Sequence, residues 1–189
     1  MNGANEVVIL IGAPGSGKGT MAQKATQAGF FVLSASDIIR RQRKSGVNDM
    51  ISAGKMIPDD IAVKIFTETL DYTPPCKDLM LDGLIRTHIQ YKRLIPVLKK
   101  MGFGEIHTIF FDLTLKEAKK RMVERGRPDD TEAIIESRMS QYILLTLPII
   151  ALLKRHTVFH CLDCAGPREE VIGAFMEILG KMSRITPVS

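Results

Sequence analysis

Tryptophan is absent from this 189-residue chain, and aromatic residues make up only 6% of it. Surfaces that bind nucleic acid interleave a concentrated basic stripe with aromatics that stack on bases, and neither feature is present. Apart from one local group at Arg40, Arg41, Arg43 and Lys44, the basic residues are dispersed. No nucleic-acid partner is expected. The three cysteines, Cys76, Cys161 and Cys164, are few and odd in number. This excludes a disulfide framework and points to a reducing compartment, so a cytoplasmic location is expected. Long apolar runs are missing as well. The longest nearly apolar stretch, Ile143 to Leu153, contains Thr146 and Pro148, and it falls well short of the roughly 20 residues a membrane-spanning helix needs. The opening MNGANEVVIL has neither a basic n-region nor a small-residue cleavage site, so no secretory signal and no membrane attachment are expected.

What remains is ordinary globular material. Apolar residues make up 45% and charged residues 25%, enough for one core in one domain spanning residues 1–189. The net charge of +5 is a mild excess that suits a small anion. Short apolar runs rich in β-branched or aromatic residues occur at Val7 to Ile11, Phe30 to Leu33, Leu79 to Leu81, Ile106 to Leu113 and Thr157 to Leu162. Runs without alternation fit strands buried on both faces. Between them, helical periodicity covers 18–28, 58–71, 90–101, 115–125, 130–155 and 168–181. The alternation predicts an α/β fold, a five-stranded parallel sheet with helices on both faces and the ligand at the carboxyl ends of the strands. Residues 34–63 and 125–130 interrupt the alternation and are expected to be mobile elements over a rigid base.

The first strand runs directly into Gly12-Ala13-Pro14-Gly15-Ser16-Gly17-Lys18-Gly19-Thr20 and then a helix. The glycines let several backbone N–H groups face one anion, the helix N-terminus adds partial positive charge, and Lys18 adds a full one. Thr20 offers a hydroxyl to a phosphate oxygen or a magnesium ion. The general phosphate-loop pattern has Ser or Thr directly after the lysine. Here Gly19 stands there and Thr20 follows one residue later.

That version of the loop resembles the one in adenylate kinases and their nucleoside monophosphate kinase relatives. Further segments match in order: Ser34-Ala35-Ser36-Asp37-Ile38-Ile39-Arg40, Gly54-Lys55-Met56-Ile57-Pro58-Asp59, and Asp82-Gly83-Leu84-Ile85-Arg86-Thr87-His88-Ile89-Gln90. Arg121, Arg125, Arg127-Pro128-Asp129-Asp130, Arg138 and Thr146-x-Pro148 follow them. The resemblance implies reversible transfer of the terminal phosphoryl of Mg-ATP to AMP by a monomer. Residues 34–63 would be the monophosphate-binding insert and 125–130 a short lid. ATP would be held by Gly15, Ser16, Gly17, Lys18, Gly19, Thr20, Arg121, Arg125 and Gly166. The monophosphate would be held by Ala35, Arg40, Lys55, Met56, Ile57, Gly83, Leu84, Ile85, Arg86, Gln90, Arg127 and Arg138, with the Gln90 amide reading adenine's edge. Lys18, Arg86, Arg125, Arg127 and Arg138 would be catalytic. Thr20, Asp37 and Asp82 would hold magnesium through water, and Asp129 and Asp130 would brace the lid arginines.

This chemistry runs on positioning and electrostatics, so His88, His107, His156 and His160 are expected to be bystanders. Cys161-Leu162-Asp163-Cys164 lacks the second ligand pair that zinc would want. Three departures from the family pattern stand out. Leu84-Ile85 replaces Phe-Pro, and a trans bond is expected at Ile85 because a non-proline cis bond costs about 2.5–4 kcal/mol. Ala35 resembles the uridylate/cytidylate kinases, and Gly126 alone separates Arg125 from Arg127 in the lid. Two alternatives therefore stay open: the same chemistry on UMP or CMP, and a catalytically weak nucleotide-binding module.

Overall fold

The computed structural model describes residues 5–41, 49–50, 53–73 and 78–182, with the backbone but not the side chain of Arg40. Five strands, β1 (Val7–Gly12), β2 (Phe31–Ser34), β3 (Leu79–Asp82), β4 (Ile106–Asp112) and β5 (Val158–Asp163), form one sheet in the order β2-β3-β1-β4-β5. Every pairing is parallel. The helices are α1 (Lys18–Gln27), α2 (Ala35–Arg41), α3 (Asp59–Leu70), α4 (His88–Lys100), α5 (Leu115–Arg125), α6 (Glu132–Gln141), α7 (Leu147–His156) and α8 (Arg168–Lys181). Among the described residues no helix is long and apolar enough to cross a membrane.

The central strand explains the two-layer core. All six residues of β1 are buried, and alternate side chains leave opposite faces of the sheet. Val7, Ile9 and Ile11 join Leu79 and Leu81 against Ile65 and Phe66 of α3, Leu94 and Leu98 of α4, and Leu153 of α7. Val8 and Leu10 join Met80 and Phe111 against Met21 and Ala25 of α1 and Phe175 and Leu179 of α8. Burial on both faces holds for the middle of the sheet and fails at β5. There Val158 and Cys161 are exposed, because an edge strand has a neighbour on one side only. A smaller apolar cluster, with Ala118 and Met122 of α5 and Ile135 and Met139 of α6, packs beneath Ala13 and braces the loop after β1.

The single helical stretch expected over 130–155 is two helices. Thr131 caps α6 by accepting from the Ile134 N–H. A π-helical turn, Tyr142–Thr146, then joins α6 to α7. Pro148 stands in the first turn of α7, has no N–H to donate, and its ring would clash with the carbonyl four residues back, so the backbone widens ahead of it. In the 34–63 segment, α2 follows β2 without a gap and α3 begins at Asp59; residues 42–48 and 51–52 lie outside the described residues.

Candidate active site

A cavity of about 810 Å³ opens where Gly12 ends β1 and Asp82 ends β3. Its floor is the Gly12–Thr20 loop. A β-carbon at Gly12 would lie 2.7 Å from the Phe111 Cβ, so only glycine lets the loop leave β1 this close to β4. At Gly15, φ is +86° and a β-carbon would lie 2.3 Å from the Ala118 carbonyl oxygen, which wedges the loop onto α5. The Ser16 N–H donates to the Ala13 carbonyl at 3.1 Å and closes the turn. Gly17 then starts α1 with no side-chain cap, and no acidic residue occupies its first turn. The unpaired N–H groups and positive end of α1 are thus left for an anion.

Lys18 bends back over this loop. Its ammonium donates to the Gly12 and Ala13 carbonyls, both at 2.8 Å, and to the Ser16 hydroxyl at 3.3 Å. Burial lowers its pKa from 10.5 to about 8; Asp82 opposes the shift, and Arg86 and Arg125 add to it.

Besides Arg121 in α5, four arginines reach the cavity, from beyond β3, from the end of α5 with the turn after it, and from α6. Arg86, after β3, folds back so that its Nε–H donates to the Gly83 carbonyl at 2.9 Å. Gly83 makes room for it, since a β-carbon there would meet the guanidinium at 2.6 Å. Arg125 at the end of α5 grips both oxygens of Asp130, at 2.6 and 2.9 Å. Arg138 on α6 pairs with Asp130 at 3.0 Å and Asp129 at 2.5 Å. The hydrogen bond from Arg125 holds the Asp130 carboxyl below its ordinary pKa, and the one from Arg138 does the same for Asp129. Arg127 lines the cavity and forms no ion pair among the described residues. Residues 125–130 are therefore a tight turn pinned by its own charges, with the Asp130 N–H also donating to the Arg127 carbonyl at 2.8 Å.

On the far wall, Thr87 caps α4 and accepts from the Gln90 N–H at 3.1 Å. Asp59 Oδ1 accepts from the Thr87 hydroxyl and from Gln90 Nε2, both at 2.9 Å. The Leu84–Ile85 bond is trans, as is every peptide bond among the described residues. Gln141 Nε2, on α6, donates to the Gly54 carbonyl at 2.6 Å, and Ser137 Oγ reaches the same carbonyl at 3.3 Å.

Of the residues singled out in the sequence, Gly15, Gly17, Lys18, Gly19, Thr20, Ala35, Asp37, Lys55, Met56, Ile57, Asp82, Gly83, Ile85, Arg86, Gln90, Arg121, Arg125, Arg127 and Arg138 line this one cavity. Ser16 is buried beneath the loop and touches Lys18. Leu84 is fully buried in the core behind it. Gly166, between β5 and α8, lies away from the cavity lining, and the Arg40 side chain lies outside the described residues. The four histidines are off the cavity. Cys161 and Cys164 are free thiols whose pKa values burial raises, Cys164 to about 11, and among the described residues no three His, Cys, Asp or Glu side chains gather to hold a metal ion directly. Asp59 and Gln141 are partners that sequence reasoning missed. Asp59 stands in a motif segment but outside the cavity wall, and Gln141 stands in no motif.

Fold and cleft together are those of a P-loop phosphotransferase. A family model described as adenylate kinase matches residues 10–158. An adenylate kinase of Mycobacterium ulcerans is 30% identical over 181 residues, covering 92% of this chain and 99% of the relative. An adenylate kinase of Tropheryma whipplei is 28% identical over 183 residues, covering 93% and 98%. A UMP-CMP kinase 2 of Oryza sativa subsp. japonica is 28% identical over 188 residues, covering 93% of this chain and 74% of the relative. The chain belongs to the adenylate kinase family and is a nucleoside monophosphate kinase.

Proposed function

We propose that the protein transfers the terminal phosphoryl of Mg-ATP reversibly to AMP, giving two ADP. The observation that carries this reading is the convergence of Lys18, Arg86, Arg125, Arg127 and Arg138 from four segments of the chain on one cavity, with the phosphate loop on one wall and Gln90 on the other. The triphosphate lies along the loop and the N-terminus of α1, with Arg121 beside its nucleoside. The acceptor lies between residues 34–63 and the start of α4, its phosphate held by Arg86 and Arg40. An acceptor phosphate oxygen attacks the terminal phosphorus in line. The new P–O bond forms as the bond to the bridging oxygen breaks, and that oxygen leaves with the electron pair as part of ADP. Charge spreads over the transferring oxygens, where Arg86, Arg125, Arg127, Arg138 and Lys18 stabilise it, so no side-chain base is required.

Thr20, Asp37 and Asp82 contribute hard oxygen donors to the same cavity, a set that suits magnesium held largely through water. A magnesium ion held there would supply positive charge to offset that of the phosphates. The few cysteines, odd in number, support a cytoplasmic setting.

Ala35 and the UMP-CMP kinase relative favour a second reading, the same transfer to UMP or CMP. Coupled-assay turnover with ATP against AMP, CMP, UMP, GMP and dAMP separates the two. AMP is expected to have the highest kcat/KM, and a pyrimidine preference would reverse the assignment.

A further inference from the structure

We propose that Asp59 is a positioning residue that fixes the polarity of the Gln90 amide, so that the acceptor pocket takes bases carrying an amino group and rejects their oxo counterparts. The proposal rests on the reading of Gln90 as part of the monophosphate pocket.

The argument follows the donors around a ring. The backbone N–H of Gln90 donates to Thr87 Oγ1 at 3.1 Å, so the Thr87 hydroxyl proton is free to go to Asp59 Oδ1 at 2.9 Å. The same Oδ1 accepts the Gln90 Nε2–H at 2.9 Å. On the other side of the amide, the backbone N–H of Arg86 donates to Gln90 Oε1 at 2.8 Å. A backbone N–H cannot accept and an ionised carboxylate cannot donate. Turning the amide over would set its NH₂ against the Arg86 N–H and its carbonyl against the Asp59 carboxylate. Both contacts would be like against like. The orientation is therefore dictated by chemistry at both ends of the side chain.

A glutamine free to turn reads either order of donor and acceptor. Held this way, Gln90 keeps one N–H and one lone pair in a fixed order along its edge. Adenine offers an accepting ring nitrogen beside a donating amino group. Hypoxanthine has the same outline with both roles exchanged. Gln90 is 3% exposed, so an unmatched donor or acceptor there finds no water to replace the lost partner. Cytosine and uracil differ in the same way, and the lock separates CMP from UMP on the same ground. Asp59 lies in the first turn of α3, outside the cavity wall, and reaches the acceptor pocket through Gln90.

The test is kcat/KM with saturating ATP for AMP and for IMP, in the wild type and in Asp59→Asn, Asp59→Glu and Gln90→Leu. The wild type should prefer AMP by at least about 100-fold, the scale on which paired polar sites reject a mismatched analogue. Asn at 59 keeps the size but can donate as well as accept, so that end no longer forbids the turned amide and only the Arg86 N–H still opposes it. The AMP-to-IMP ratio should then fall at least about tenfold, while KM for ATP stays within about twofold. Asp59→Glu keeps an acceptor and should restore most of the ratio. A merely structural role for Asp59 would weaken AMP and IMP together and leave the ratio unchanged, and that result overturns the proposal. If Asp59→Asn does not fold, the Gln90 side-chain amide resonances of the wild type decide. A through-hydrogen-bond coupling from the Gln90 side-chain nitrogen to the Asp59 carboxyl carbon supports the lock, and its absence overturns it. Gln90→Leu keeps the two readings apart. No change in KM for AMP removes the pocket assignment itself. A raised KM for AMP with an unchanged ratio in Asp59→Asn removes the lock alone.

Discussion

All three ammonium donors of Lys18 are held by neutral oxygens of its own loop, the Gly12 and Ala13 carbonyls and the Ser16 hydroxyl. A phosphate oxygen carries negative charge where a carbonyl carries only a dipole, so Coulombic attraction lets an arriving polyphosphate take the ammonium from the carbonyls. Lys18→Ala should leave the fold intact and lower kcat/KM by at least about 100-fold, the usual loss when one preorganised electrostatic donor is removed. Steady-state kinetics on the purified variant check this. Burial also sets a pH limit: with a pKa lowered to about 8, Lys18 loses its proton as pH rises through that value. The profile of kcat/KM, which reports the free protein, should fall on its alkaline side near pH 8. Bound phosphate favours the ammonium, so the same limb in kcat should lie at higher pH. Coincident limbs in the two profiles would assign the titration to another group.

Between elements, the tightest seam joins the phosphate loop to α5. Gly15→Ala would drive a methyl group against the Ala118 carbonyl, which is backbone and cannot swing aside, at a φ of +86° that alanine rarely adopts. The expected cost is about 1–3 kcal/mol, with a raised KM for ATP as the loop lifts off the helix; a denaturant midpoint and ATP titration check both. The turn over 125–130 behaves differently, because Arg127 is exposed and belongs to no ion pair among the described residues. Arg127→Ala should shift stability by less than about 0.5 kcal/mol. It should nonetheless weaken a bisubstrate analogue and raise the fraction of ATP lost to water, measured as phosphate release against ADP formation. The strands, the loop glycines and the arginines are legible in the sequence because each is announced locally, by an apolar run or by fixed spacing. The break in the 130–155 stretch is not. Helical periodicity is nearly blind to one wide turn, and the cue, Pro148, lies beyond it. Nor are the pairs Asp59 with Gln90 and Gln141 with Gly54, which join residues 31 and 87 positions apart through single hydrogen bonds that leave no pattern.

In the whole molecule, the two halves of the cleft are tied through α6, which carries Arg138 into the cavity and holds the Gly54 carbonyl with Gln141. The Asp129 and Asp130 pairs complete that tie. Folding lowers both carboxyl pKa values, so their stabilisation is complete above about pH 4, the ordinary carboxyl range, and is lost as pH falls through the lower folded values. Thermal melting from pH 7 to pH 2 should show this acid limb, and Asp130→Asn should flatten it while lowering the melting temperature at pH 7. The turn those aspartates pin has one further consequence. At Gly126 the chain reverses with φ +59° and nothing stands within 4 Å of a β-carbon there. Extra polypeptide spliced after Gly126 would displace no packed side chain, and closure entropy rises by only about 0.6 kcal/mol for each doubling of a flexible loop. On the proposed reading of this turn as a lid, cover over the phosphates can lengthen or shorten by simple insertion and deletion while the loop after β1 stays unchanged, so leakage to water and speed of product escape can evolve separately from the chemistry itself.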